Sequence, residues 1–202
     1  MAEITSKYIN PFTDYGFKTI FGKESNKEFL LDFLNAMLEE EIGEIQNVEY
    51  SPVEQMGVSD VERKVVFDIY CVTKSGERVI VEMQRSFQVN FKDRSLFYCT
   101  FPIREQGRRG DWDYALKAVY CISILDFELK DENVDENKYL HYVRLIEERT
   151  GKMFSDKLNF IYIEIPKFDL NVTELGTKLE KWLYLLKHLE FLERIPRNLQ
   201  EK

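Results

Sequence analysis

The chain has 202 residues, 44% of them hydrophobic, and a formal net charge of −8, which is enough apolar material for one sizeable core in a single domain and excludes a disordered chain. No run of 18 apolar residues and no basic segment leading into an apolar stretch occurs, which argues against a membrane span or secretory signal and for a cytoplasmic protein. Three cysteines (Cys71, Cys99, Cys121) and two histidines (His141, His188) are too few and too scattered for a disulfide frame, a zinc site or a hydrolase that needs an imidazole base.

Asn10-Pro11 reads as a turn and Thr13 or Asp14 as a helix cap, with Phe17, Ile20 and Phe21 at helical spacing before Gly22. Ser25-x-x-Glu28 has the form of a capping box. It precedes Phe29, Leu30, Phe33, Leu34, Met37 and Leu38, so a second, amphipathic helix is expected, frayed where Glu39-Glu40-Glu41 oppose the helix dipole. Ile45 to Tyr50 predicts a first strand closed by Pro52, and 54–62 a polar connection.

The most informative stretch follows. Residues 65–71 and 78–84 are β-branched and aromatic with period two, and Thr73-Lys74-Ser75-Gly76-Glu77 supplies a Gly where a three-residue hairpin loop takes its left-handed residue. If Thr73 faces Glu77, Tyr70 faces Ile80 and Asp68 falls opposite Glu82. Opposed side chains of an antiparallel pair lie roughly 4.5–5.5 Å apart at Cβ, and like charges there are destabilising unless compensated. A bound cation compensates them. Gln84 follows on the same face, and an oxygen ligand set suits Mg²⁺ or Mn²⁺.

Beyond the hairpin, 90–106 predicts a helix bent at Pro102, and 107–110 a turn. Leu116 to Leu125 is a continuous apolar run, as in a strand covered on both faces; 126–137 reads as a loop. Two further strands are expected at 139–146 and 158–165. A last helix capped by Asn171-x-x-Glu174 runs through Leu189. The order of elements predicts an α/β fold: a mixed central sheet flanked by helices, with a core over about 10–126 and a C-terminal extension over about 127–202.

Charge is unevenly spread. Residues 1–62 carry 4 basic and 13 acidic side chains, 63–126 carry 11 and 8, and 127–202 carry 13 and 15. The hairpin lies in the one positive third. There Arg85, Arg94, Arg104, Arg108 and Arg109 are candidates for holding a phosphate backbone.

The ordered set Asp14-x-x-Phe17-Lys18, Phe21-Gly22, Leu34-Asn35-Ala36, Asp68, Ile80-Val81-Glu82-Met83-Gln84, Asp93-Arg94, Pro166-Lys167-Phe168 and Lys181-Trp182-Leu183 resembles the PD-(D/E)XK nuclease superfamily. More narrowly it is similar to the recombination-promoting nuclease and transposase-like family. The resemblance implies a restriction-endonuclease-like fold and a Mg²⁺-dependent endonuclease acting on double-stranded DNA. In it Asp68, Glu82 and the Met83 carbonyl hold the metal, Gln84 stands where the wider superfamily has Lys, and Asp14 and Lys18 play a supporting part. A homodimer is compatible with this reading. The alternatives are a catalytically weak or inactive nuclease-like module that binds DNA or protein, and a structural subunit docking through the last helix.

Overall fold

The computed structural model describes residues 6–55, 64–107, 111, 113–130 and 135–199. A helix α1 (Asp14–Phe21) starts at Thr13, whose side-chain oxygen accepts the Gly16 N–H at 3.0 Å, and stops at Gly22. The second helix, α2 (Lys27–Ile42), is capped one residue later than expected. Its N-cap is Asn26, preceded by a 3-10 turn over Glu24–Asn26, and Ser25 donates to the Asn26 side chain instead of closing a capping box. Nor does α2 fray at its acidic end. It runs to Ile42, where Glu41 is paired with Arg144 from a strand at the edge of the sheet.

The strands are β1 (Val48–Tyr50), β2 (Glu54–Gln55), β3 (Val65–Val66), β4 (Ile69–Thr73), β5 (Arg78–Gln84), β6 (Val119–Leu125), β7 (Leu140–Ile146) and β8 (Met153–Glu164). Six form one sheet in the order β1-β4-β5-β6-β8-β7, with β5, β6 and β8 mutually parallel and the outer pairs antiparallel. The expected C-terminal strands thus extend the same sheet, and β8 begins five residues earlier than predicted. The expected continuous strand at 65–71 is instead broken at Phe67-Asp68. Its first part, β3, pairs with β2 in a separate two-stranded sheet, so the polar connection at 54–62 contains a strand; residues 56–63 lie outside the described residues.

Each face of the large sheet is covered. Val79, Val81, Ile122, Ile124, Ile161 and Ile163 face α1, α2 and the last helix α4 (Lys178–His188), and Ile80, Cys121, Leu125 and Tyr162 face α3 (Phe91–Glu105). Every residue of β6 is buried, as its unbroken apolar run requires. Pro102 lies inside α3. The helix α4 starts at Thr177 with a full capping box to Glu180, later than the expected cap. Asn171 and Glu174 form only a local turn, in which the Asn171 N–H and side-chain amide donate to Glu174 Oε2. Trp182 locks α4 to α2 by donating to Asp32 at 2.8 Å, with its indole 5.4 Å from Phe21 and 6.0 Å from Phe33. All three cysteines are free and buried, consistent with core thiols.

The start of α1 tolerates no side chain at its second turn-forming position. A Cβ added to Gly16 would lie 1.9 Å from the Asn10 carbonyl oxygen, a backbone atom that cannot swing aside. Gly16→Ala is therefore expected to cost on the order of 2–3 kcal/mol and to lower the melting temperature by about 5–10 °C. Thermal unfolding followed by circular dichroism checks this; an unchanged melting temperature contradicts the close approach.

Candidate active site

The β4–β5 hairpin has the register its turn dictates. The Thr73 N–H donates to the Glu77 carbonyl at 2.9 Å, Gly76 sits at φ 98°, and Tyr70 faces Ile80. Two residues further along, β4 has ended. Phe67 gives its N–H to the Val53 carbonyl at 2.9 Å, toward the small sheet, and no longer serves β5. The Met83 N–H is taken up by the Asp68 carboxylate, Oδ2 at 2.8 Å, and the Asp68 N–H donates to Glu82 Oε1 at 3.0 Å. The break in the strand thus turns Asp68 into a side chain that caps the open edge of β5. Asp68 is tied to β5 by two charge-assisted bonds, its N–H donating to the Glu82 carboxylate and its own carboxylate accepting the Met83 N–H.

Glu82 is 4% exposed and Asp68 is half-buried. Burial first, and then the Asp68 charge, push the Glu82 carboxyl up to about 8; burial also raises Asp68, opposed by the Met83 N–H and by the Lys18 and Arg94 charges. Those two cations act on the pair through their charge, without touching it, from helices on opposite faces of the sheet, Lys18 from α1 and Arg94 from α3. Lys18 is ion-paired with Asp14 at 2.6 Å, and its own pKa is raised, by that hydrogen bond most and by Asp68 and Glu82 in addition. The Arg94 guanidinium is stacked over Phe91 and Tyr98 at 5.6 and 5.3 Å from the ring centroids.

A second buried carboxylate shows what is unusual about the first. Glu164, fully buried at the end of β8, has His141 Nε2 at 2.7 Å and Lys167 Nζ at 3.0 Å on one oxygen and the Leu129 N–H at 2.6 Å on the other. It is neutralised in place. Glu82 is nearly as buried and, among the described residues, forms no ion pair. It accepts the Asp68 N–H but among those residues has no cation in contact, and a buried carboxylate without an ion pair is costly, so this is a site short of positive charge.

The donor set fits a hard divalent cation. One oxygen of each carboxylate is committed to an N–H, which leaves the other for an ion. Because N–H and C=O of one strand residue point to the same edge, the Met83 carbonyl faces the side from which Asp68 approaches. No group of three or more His, Cys, Asp or Glu side chains gathers into a metal cluster among the described residues, so water or substrate oxygens must complete the shell of any ion held here.

The remaining predicted residues divide by position. Gln84 follows Glu82 on the same face and is half-buried, with its carbonyl accepting the Asp126 N–H at 2.9 Å. Arg85 is exposed just past it, close enough to act on the Asp126 carboxyl. Arg104 lies at the other end of α3, ten residues from Arg94 and so about 15 Å away along the axis, beside Glu105, which meets Tyr70 and Arg78 at the start of β5. Arg108 and Arg109 lie outside the described residues. The sequence reading missed Ser123. It stands opposite Glu82 in the β5–β6 register, 1% exposed, with its hydroxyl unpartnered. The one serine within the apolar run 116–125 was the available signal.

A mixed sheet in this order, with helices on both faces and two facing carboxylates where β4 breaks against β5, defines a restriction-endonuclease-like fold. The family model for PD-(D/E)XK nuclease family transposases matches residues 11–202, and the chain belongs to that family. Neither curated proteins nor solved structures give a match. No helix among the described residues is long and apolar enough to cross a membrane.

Proposed function

We propose that the protein is a metal-dependent endonuclease that hydrolyses phosphodiester bonds of double-stranded DNA, acting in the cytoplasm in recombination or the movement of genetic elements. The observation that carries this reading is Glu82, buried against Asp68 with no ion pair among the described residues, in a chain that neutralises a second buried carboxylate, Glu164, with His141 and Lys167. Asp68, Glu82 and the Met83 carbonyl hold Mg²⁺ or Mn²⁺. When bound, the ion supplies an activated water and stabilises charge on the scissile phosphate. Gln84 orients the attacking water or a phosphate oxygen through its amide, since it carries no charge to offer. Lys18 and Arg94 hold negative charge near the carboxylates, and Arg85 holds the flanking backbone.

Nicking of supercoiled plasmid with Mg²⁺, set against the same reaction in EDTA, tests the assignment; equal products in both contradict it. A second reading, a module that holds DNA without cutting it, is favoured by the neutral Gln84. It is distinguished by salt-sensitive binding with no product under any divalent ion.

A further inference from the structure

The segment joining β5 to α3, residues 85–90, starts at the end of the strand that carries Glu82 and leaves two apolar side chains in water: Phe87 is 54% and Val89 79% exposed. Single surface hydrophobes are common, but this segment is built to present them. Asn90 takes a left-handed backbone with φ 62°, its carbonyl accepts the Arg94 N–H at 3.0 Å, and the Arg94 guanidinium reaches back to donate to Gln88 Oε1. The Phe87 ring is held from behind. It meets Phe127 T-shaped at 5.7 Å, Phe127 meets Phe91 at 6.0 Å, and Phe91 packs on the buried Tyr162 at 5.8 Å. A row of rings rooted in the core thus fixes one side of Phe87 and leaves the rest of it open.

The segment that carries the ring is basic. Residues 85–94 contain Arg85, Lys92 and Arg94 against a single acid, Asp93. Arg94 links the two features, because the residue that clamps the loop through Gln88 also acts on both carboxylates. An aromatic platform among cations matches a nucleobase among phosphates. A perfect duplex hides the faces of its bases, so the ring can stack only on a base that has left the helix, and the cost of extruding one is least where it is already unpaired.

Resting on the endonuclease reading, we propose that Phe87, with Val89 beside it, is a stacking platform for an unpaired nucleobase next to the scissile phosphate. The preferred substrate is then duplex DNA interrupted by an unpaired nucleotide, as at a bulge, a flap or a mismatch.

The test compares a perfect duplex with the same duplex carrying one unpaired nucleotide. Binding is read by fluorescence anisotropy in EDTA and cleavage in Mg²⁺. Wild type is expected to bind the interrupted duplex about tenfold more tightly and to cut beside the unpaired nucleotide. Phe87→Ala loses that preference, Phe87→Trp keeps it, and Phe154→Ala leaves it unchanged, Phe154 being 78% exposed at the opposite end of the sheet. Equal binding of the two duplexes by wild type overturns the platform, as does a Phe87→Ala variant that weakens both alike or neither; metal-dependent nicking of plasmid leaves the endonuclease reading standing in those cases. A binding preference that Phe87→Ala abolishes, with no cleavage of any substrate, supports the platform and removes the endonuclease.

Discussion

Asp68→Ala and Glu82→Ala are each expected to lower metal-dependent nicking of plasmid DNA by about three orders of magnitude while leaving the fold intact. Each substitution removes half of the anionic charge that would hold the ion, and the loss of a charge-stabilising contact of about 4 kcal/mol in the transition state corresponds to roughly a thousandfold. The fold should survive because both residues cap the end of the hairpin and its register is set elsewhere, at the Thr73–Glu77 turn and the Tyr70–Ile80 pair. Asp68→Asn separates charge from geometry. Its amide oxygen can still accept the Met83 N–H that Asp68 Oδ2 now takes at 2.8 Å, so a rate as low as that of Asp68→Ala assigns the loss to charge. The double variant is expected to be no slower than either single one, because the two side chains act as a unit. Nicking within tenfold of wild type in either Ala variant removes Asp68 and Glu82 from the chemistry.

That pair was legible from sequence because hairpin register is a local property. Five residues around Gly76 set it, and the period of two carried it out to Asp68 and Glu82. The break at Phe67 was not legible. It depends on a hydrogen bond to Val53, which neither strand's own composition encodes. The misplaced helix starts have a related cause. Asn171-x-x-Glu174 and Thr177-x-x-Glu180 both satisfy the capping pattern, and the helix begins at the second, where Lys178 and Trp182 come to lie on Asp32 of α2. Likewise Glu39-Glu40-Glu41 ends a stable helix because Arg144 arrives from β7. The contrast that gives the site its meaning, a neutralised Glu164 and a Glu82 with no ion pair among the described residues, was likewise out of reach, since His141 and Glu164 meet only once β7 and β8 are paired.

The same buried carboxylate makes the metal-free protein sensitive to alkali. Glu82 titrates near 4.5 when free and is pushed up to about 8 in the folded chain, by burial first and by Asp68 second. Between those values the native state keeps a proton that the unfolded state has released. Stability attached to this group is therefore fully present below about pH 4.5 and is lost as pH rises toward about 8. Each pKa unit is worth about 1.4 kcal/mol, and with part of the shift shared with Asp68 the loss is on the order of 3 kcal/mol. Glu82→Gln cannot ionise. In EDTA it should match wild type near pH 5 and melt several degrees higher near pH 8, whereas Mg²⁺ should raise the melting temperature of wild type at pH 8 and leave the variant unmoved. The apparent affinity of wild type for Mg²⁺ should climb over the same interval, since the ion competes with the proton for Glu82. Thermal melts of both proteins across this range, with and without Mg²⁺, decide the matter. If their difference does not change with pH, Glu82 is ionised at little cost in the folded chain, and the case for a site short of positive charge fails with it.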